Sequence, residues 1–280
     1  MELNGLTILV STDFSSPEVI KKKAKNMIPK VIHYCWFGGN PKPKLAKKCI
    51  RSWKKYCPDY EILEWNESNY DLSSAPLYVR QAYERRKWAF VTDYVRLQVV
   101  YDHGGIYLDT DVELLRSLDD LLENRAYFGF EDSRHIATGL GFGGEKGHPL
   151  LQEVMEDYYG IPFLLEDGKM DQLSCPQRNT KIFLRHGLKQ DGSMQMLDEG
   201  VLILPGDHLN PKDWKTGEIR KTENTRSIHH FSASWYTPEM LKALERRKRA
   251  EKRRRLPSRI GHMLLGEKNY QALRNRIKRS

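Results

Sequence analysis

No apolar run in the 280-residue sequence reaches the about 18 residues that a membrane-crossing helix needs, so no spanning segment is expected. Cysteine is sparse. The four present, Cys35, Cys49, Cys57 and Cys175, show neither the paired spacing of a metal knuckle nor the density of a disulfide scaffold, and reduced thiols in a cytoplasm are expected. A secretory leader is not expected either, because Leu6 to Val10 is too short and no basic segment precedes it. Internal repeats and low-complexity stretches are missing from the body of the chain. A hydrophobic content of 39% fits a soluble protein with a substantial core.

The net charge of +9 conceals an uneven distribution. Residues 241–280 hold 15 Lys and Arg against 3 Glu, a surplus of +12 that leaves −3 for residues 1–240. A helix is expected from near Glu239 through Glu245 to Arg255, ended or bent at Pro257, with a second one carrying Tyr270, Leu273 and Ile277. Three uses stay open: a helix lying on anionic lipid, a solvated tail, or nucleic-acid binding, for which no recognisable motif accompanies the charge.

Short apolar strands alternate with helical periodicity elsewhere. Strands are expected at Val31 to Trp36, Tyr60 to Trp65, Ala126 to Phe130, Gly141 to Gly144 and Val201 to Leu204. Helices are expected at Leu45 to Tyr56, Leu77 to Arg86, Trp88 to His103 and Pro149 to Tyr159. This alternation argues for an α/β sheet covered on its faces, with ligands beyond the carboxyl ends of the strands.

The segment Gly104 to Val112 ends in Asp109-Thr110-Asp111. It reads as an apolar strand, in which residues two apart share a side, so Asp109 and Asp111 project together off its end while Ile106 and Leu108 face the sheet. Paired carboxylates suit Mg²⁺ or Mn²⁺, and such ions usually share a substrate's phosphates. Alone the pair is weak, since 17 Asp in this length give about one Asp-x-Asp by chance. The helix expected before it, capped by Gly104, sets Asp93 and Arg96 on one face. An internal ion pair and contact with a polar ligand both explain these two residues.

The run from Asp93-x-x-Arg96 through Gly104-Gly105-x-Tyr107-x-Asp109-x-Asp111 resembles the signature of the DXD-bearing sugar transferases. That family includes bacterial capsule-synthesis glycosyltransferases, fungal initiating mannosyltransferases and, remotely, the large glucosylating bacterial toxins. Ile28 to Gly39 resembles the family's first strand, and Ile228 to Trp235 its closing motif. The resemblance spans about residues 27–236.

It implies a GT-A type nucleotide-diphospho-sugar transferase fold, a Rossmann-like mixed sheet flanked by helices, over residues 27–237. Residues 1–26 form an extension of unassigned role, and 238–280 the basic helical tail. Trp36 is expected to stack on the base, with Cys35 offering backbone contacts, although composition alone favours a core tryptophan. Asn66 is either a further pocket residue or a turn asparagine. Asp93 is assigned to the donor sugar, Arg96 and Trp235 to the diphosphate, and Asp109 to ribose and metal, with Gly105 and Tyr107 in the same donor site. Asp109, Asp111 and His230 are expected as metal ligands, while His229 would point the other way on a strand. Ala137 departs from the family, which often has Asn there. Glu131 and Asp132 are either acceptor-facing or surface charges.

The implied activity is a Mn²⁺- or Mg²⁺-dependent, retaining hexosyl transfer from a nucleotide-diphospho-sugar, expected to be a UDP-sugar. The expected acceptor is a glycan, lipid-linked, in bacterial capsule or surface polysaccharide synthesis. The expected location is the cytoplasmic face of the membrane, reached through residues 241–280. The rivals are a toxin-like transferase that modifies protein and a metal-dependent nucleotide-sugar phosphohydrolase.

Overall fold

The computed structural model describes residues 27–171, 173–214 and 216–232, together with Lys242 and Arg246. Residues 1–26, the tail helices and Trp235 therefore lie outside the described residues. Lys242 and Arg246 are themselves helical and exposed.

In chain order the elements are β1 Val31–Cys35, α1 Lys44–Tyr56, β2 Glu61–Trp65, α2 Leu77–Glu84, α3 Trp88–His103, β3 Gly105–Tyr107, β4 Val112–Leu114 and β5 Ala126–Gly129. They continue with β6 Phe142–Gly144, α4 Pro149–Glu156, α5 Cys175–Arg185, β7 Gln195–Leu197, β8 Val201–Leu204, α6 Gly206–Leu209 and β9 Ser227–His229. Seven strands make one sheet in the order β2-β1-β3-β6-β5-β8-β7. Pairs β1–β2, β1–β3 and β5–β8 are parallel, and β3–β6, β5–β6 and β7–β8 antiparallel, so the sheet is the mixed α/β kind that the sequence predicts.

Period-two alternation divides the apolar side chains between two cores. Ile32, Tyr34, Ile106 and Leu108 pack with Cys49 and Trp53 of α1 on one face. Tyr107, Phe128 and Phe142 pack with Val91, Val95 and Val99 of α3 on the other. Seven residues of α3 are buried, and only Asp102 and His103 at its C-terminal end are exposed, which explains why it reads as apolar almost around its circumference. It stops at Gly104, which takes φ +70, and a side chain there would collide with Pro29.

The chain then enters β3, which ends at Tyr107. Asp109 and Asp111 are therefore not strand residues; they sit on a turn in which the Val112 amide donates to the Asp109 carbonyl at 2.9 Å. Strand alternation does not bring their carboxylates together; the turn does. It leads directly into β4, which pairs antiparallel with β9 and sets His229 opposite Val112. This two-stranded ribbon carries the end of the described body back beside the aspartates.

Candidate active site

A cleft of about 1050 Å³ opens beyond the carboxyl ends of β1 and β3, the place where α/β sheets bind ligands. Helix α3 contributes Thr92, Asp93 and Arg96 to its wall; the turn after β3 contributes Asp109, Thr110 and Asp111. Arg96, 4% exposed, is the hub. Its Nε donates to the Thr92 carbonyl at 2.9 Å, Nη2 donates to Asp93 Oδ1 at 2.8 Å, and Nη1 stands 3.6 Å from Asp109 Oδ2. Tyr107 lies beneath, its ring centre 5.2 Å from the guanidinium carbon and its hydroxyl donating to Asp109 Oδ1 at 2.9 Å.

Burial sets the electrostatics. It pushes the Asp93 carboxyl up to about 6, beyond what Arg96 can offset, and also raises Asp109 against the pull of Arg96. Asp111 behaves oppositely. Burial penalises its charge, but the His229 imidazole at 3.2 Å and the Ser232 amide, donating to Oδ2 at 2.7 Å, hold the carboxyl well below its usual range. Reciprocally, burial disfavours the His229 imidazolium, yet Asp111, Asp109 and Glu131 outweigh this and raise its pKa.

Asp109, Asp111 and His229 can each present a ligand atom within 4.8 Å of the other two. Two carboxylate oxygens and one imidazole nitrogen fit Mn²⁺, which tolerates nitrogen, and are compatible with Mg²⁺. The second ring nitrogen of His229, Nδ1, is buried and has no hydrogen-bond partner among the described residues. Packing against the Phe231 ring, 4.2 Å between centres, helps hold the imidazole.

Residues 43–128 match the family described as "Glycosyltransferase sugar-binding region containing DXD motif". That stretch is similar to the DXD sugar-binding region of glycosyltransferases. Inositol phosphoceramide mannosyltransferase 3 of Schizosaccharomyces pombe is 30% identical over 175 residues, 58% of this chain and 48% of its own length. Lactosylceramide 4-alpha-galactosyltransferase of Rattus norvegicus is 27% identical over 129 residues, 45% of this chain and 32% of its own. Among solved structures, the PaToxG glycosyltransferase superposes with a TM-score of 0.46 at 19% identity over 56% of this chain and 69% of that one. The chain spans about half the length of the fungal relatives it matches.

Within this DXD region and its surroundings, the structure gathers Cys35, Trp36, Asp93, Arg96, Tyr107, Asp109 and Asp111 around one cleft. The Trp36 indole N–H donates to the Asn40 carbonyl at 2.6 Å, and the Lys42 ammonium lies 5.7 Å from a ring centre of Trp36. Burial pushes the Cys35 thiol up to about 12, so it is present as a neutral thiol.

Three assignments change. His230 does not reach the aspartates: its Nε2 meets Glu113 Oε2 at 2.8 Å, while His229 faces Asp111. The cause is register: β9 pairs with β4 so that His229, opposite Val112, lies on the side of Asp111, and alternation sends the next side chain, His230, towards Glu113. Asn66 is not in the cleft wall; its Oδ1 accepts from the amide and hydroxyl of Ser68 at 2.8 and 2.7 Å, the turn asparagine of the alternative reading. Gly105 serves packing between strands: at φ +117, an added Cβ would lie 2.8 Å from the Val31 carbonyl and 2.9 Å from His33 Nε2.

Three cleft features escaped the sequence reading. His229 was set aside by strand alternation. Gly139 carries a signal only in the glycine-rich run Gly139 to Gly144, and it lets the chain pass against Asp109 and Arg96. Thr92 had no signal at all.

Proposed function

We propose that the cleft binds a nucleotide-diphospho-sugar, expected to be a UDP-sugar, and transfers its hexosyl group with retained configuration to a glycan acceptor. The observation that carries this reading is the convergence of Asp109, Asp111 and His229 beside the Arg96–Asp93 pair, in a cleft that Trp36 also lines.

Asp109, Asp111 and His229 would hold Mn²⁺ or Mg²⁺, which when bound offsets the negative charge that grows on the departing diphosphate. The remaining work falls to the chain. Arg96 is fixed by three neighbours, so its positive charge is already oriented before the donor arrives; preorganisation of this sort stabilises charge where it develops. Asp93, held by Arg96, accepts hydrogen bonds from hydroxyls of the donor sugar. Trp36 offers its face to the base, and Lys42 on that indole adds positive charge near the nucleotide. As the anomeric C–O bond of the donor breaks, the acceptor oxygen bonds to the same face of the anomeric carbon. Its proton passes to the leaving phosphate oxygen, so no protein nucleophile is required.

The acceptor is proposed to be lipid-linked. The two relatives named above act, by their names, on an inositol phosphoceramide and a lactosylceramide, which supports a glycolipid. Residues 241–280 would bring the enzyme to an anionic membrane surface, in the setting of bacterial surface polysaccharide synthesis, with residues 27–237 as the catalytic unit. Incubation with Mn²⁺ and a panel of nucleotide sugars tests the reading. Slow release of nucleoside diphosphate, accelerated by acceptor, is expected; rapid production of nucleoside monophosphate would make the protein a phosphohydrolase instead.

A further inference from the structure

One wall of the cleft takes no part in the donor chemistry. It begins at Glu131, two residues beyond β5. The Glu131 amide donates to the His135 carbonyl at 2.8 Å, and its carbonyl accepts from Asn210 Nδ2 at 3.0 Å. With both backbone groups held, the backbone position of Glu131 is set, and the residue lines the cleft. Among the described residues nothing hydrogen-bonds to that carboxylate. Burial pushes it up against the opposing influence of His229. A carboxylate partly stripped of water and given no donor is costly unless a ligand brings one.

The adjacent carboxylate is already occupied. Asp132 Oδ1 accepts from the amides of Arg134 and His135, and its carboxylate meets His135 Nδ1 at 3.0 Å. Four residues beyond Asn210, Trp214 also lines the cleft and is 36% exposed. Between them Lys212 Nζ donates to the His230 carbonyl at 2.5 Å, which ties this segment to the ribbon bearing His229. The cleft lining thus offers a donor-seeking carboxylate and a flat aromatic surface together with Asp109, Asp111 and His229. Those are complementary to a pyranose, which has hydroxyls that donate and an apolar C–H face that stacks.

We propose that Glu131 and Trp214 form the acceptor subsite and that it takes a neutral hexopyranosyl residue, Glu131 accepting hydrogen bonds from ring hydroxyls and Trp214 covering the C–H face. This rests on the glycosyl-transfer reading of the cleft. The two carboxylates of the wall oppose an acceptor residue that carries its own phosphate or carboxylate.

The test uses the full chain loaded with Mg²⁺ and with UDP or GDP, whichever binds by calorimetry. Lactose, methyl α-mannopyranoside and the methyl glycoside of glucuronic acid are then followed by saturation-transfer NMR. At least one neutral pyranoside is expected to bind, and Glu131→Gln and Trp214→Ala are each expected to raise its Kd about tenfold. Trp214→Tyr should restore most of the affinity, all three variants should keep the wild-type melting temperature, and the two Trp214 variants should keep the wild-type nucleotide Kd. A preference for the glucuronide, no binding of either neutral sugar by the loaded protein, or wild-type affinity in both Glu131→Gln and Trp214→Ala overturns the subsite while leaving the donor reading intact. Failure of both nucleotides to bind with metal sinks the glycosyl-transfer reading, and the subsite with it.

Discussion

Gly139 lies so close to Asp109 that a Cβ added to it would stand 2.7 Å from the carboxylate Oδ2, and 3.0 Å from Arg96 Nη1. Both obstructing atoms are the far ends of side chains, so Gly139→Ala can be accommodated by moving them. The expected result is a protein of nearly unchanged melting temperature whose Mn²⁺ dissociation constant rises about tenfold, the scale on which disturbed metal ligands respond. Titration of Mn²⁺ by electron paramagnetic resonance measures this, and wild-type affinity in the variant would remove the metal role from Asp109.

The two adjacent histidines separate cleanly. His229→Ala takes away a nitrogen that stands within 4.8 Å of both aspartate oxygens, whereas His230→Ala only frees Glu113, which still has Lys48 at 2.8 Å. Metal affinity should fall about tenfold or more in the first variant and stay level in the second. The opposite ranking would restore His230, the ligand that the family resemblance implies.

Asp111→Asn should keep the fold, since the amide oxygen can still accept from Ser232, but lose a charge next to His229. Metal-dependent release of nucleoside diphosphate should drop by about two orders of magnitude or more. Chelation of wild-type protein with EDTA should reproduce that loss, and added Mn²⁺ should reverse it in wild type only.

Arg178 offers a test of stability apart from the chemistry. It is 3% exposed, with Nη1 3.2 Å from Asp157 and Nη2 2.6 Å from Asp171, and it lies over the rings of Tyr78 and Tyr158. Removing it as Arg178→Met leaves Asp171 without its cation and Asp157 with Lys181 alone, and a loss of about 3–5 kcal/mol is expected in urea unfolding.

His33 makes stability depend on pH. It is fully buried, with Nδ1 accepting from the Trp65 indole at 3.1 Å and Nε2 donating to the Gly104 carbonyl at 2.8 Å, so the neutral tautomer is specified. Burial lowers its pKa from 6.5 to about 4. Below pH 6.5 the unfolded chain takes up a proton that the folded protein refuses. The contribution is therefore complete above pH 6.5 and lost as pH falls to about 4, up to about 3 kcal/mol. Urea midpoints between pH 7.5 and 4.5 should show this slope, and it should flatten in His33→Gln.

Legibility followed the range of the interactions. Helix α3 is bounded in the structure as its sequence predicts, because its apolar positions and its glycine cap are local signals. Strand β8, a bare Val-Leu-Ile-Leu run, was equally readable. Helix α5 was missed, because buried Arg178, Asn179 and Thr180 replace the apolar stripe that would have revealed it. The three-residue strands β4, β7 and β9 are too short for periodicity, and their existence depends on partners elsewhere in the chain. The Asp109–Asp111 pair was visible but its carrier was not: a strand and a turn both bring two carboxylates together. The choice between His229 and His230 turned on register, which a local pattern does not contain.

The β4–β9 ribbon joins residues 112–114 to residues 227–229, and this sets the order of events during synthesis. A growing polypeptide displays Asp109 and Asp111 early, yet the imidazole that completes the triad leaves the ribosome more than a hundred residues later. Until then a nascent chain holds the two aspartates without their histidine, and the proposed cation site can close only once residue 229 has emerged.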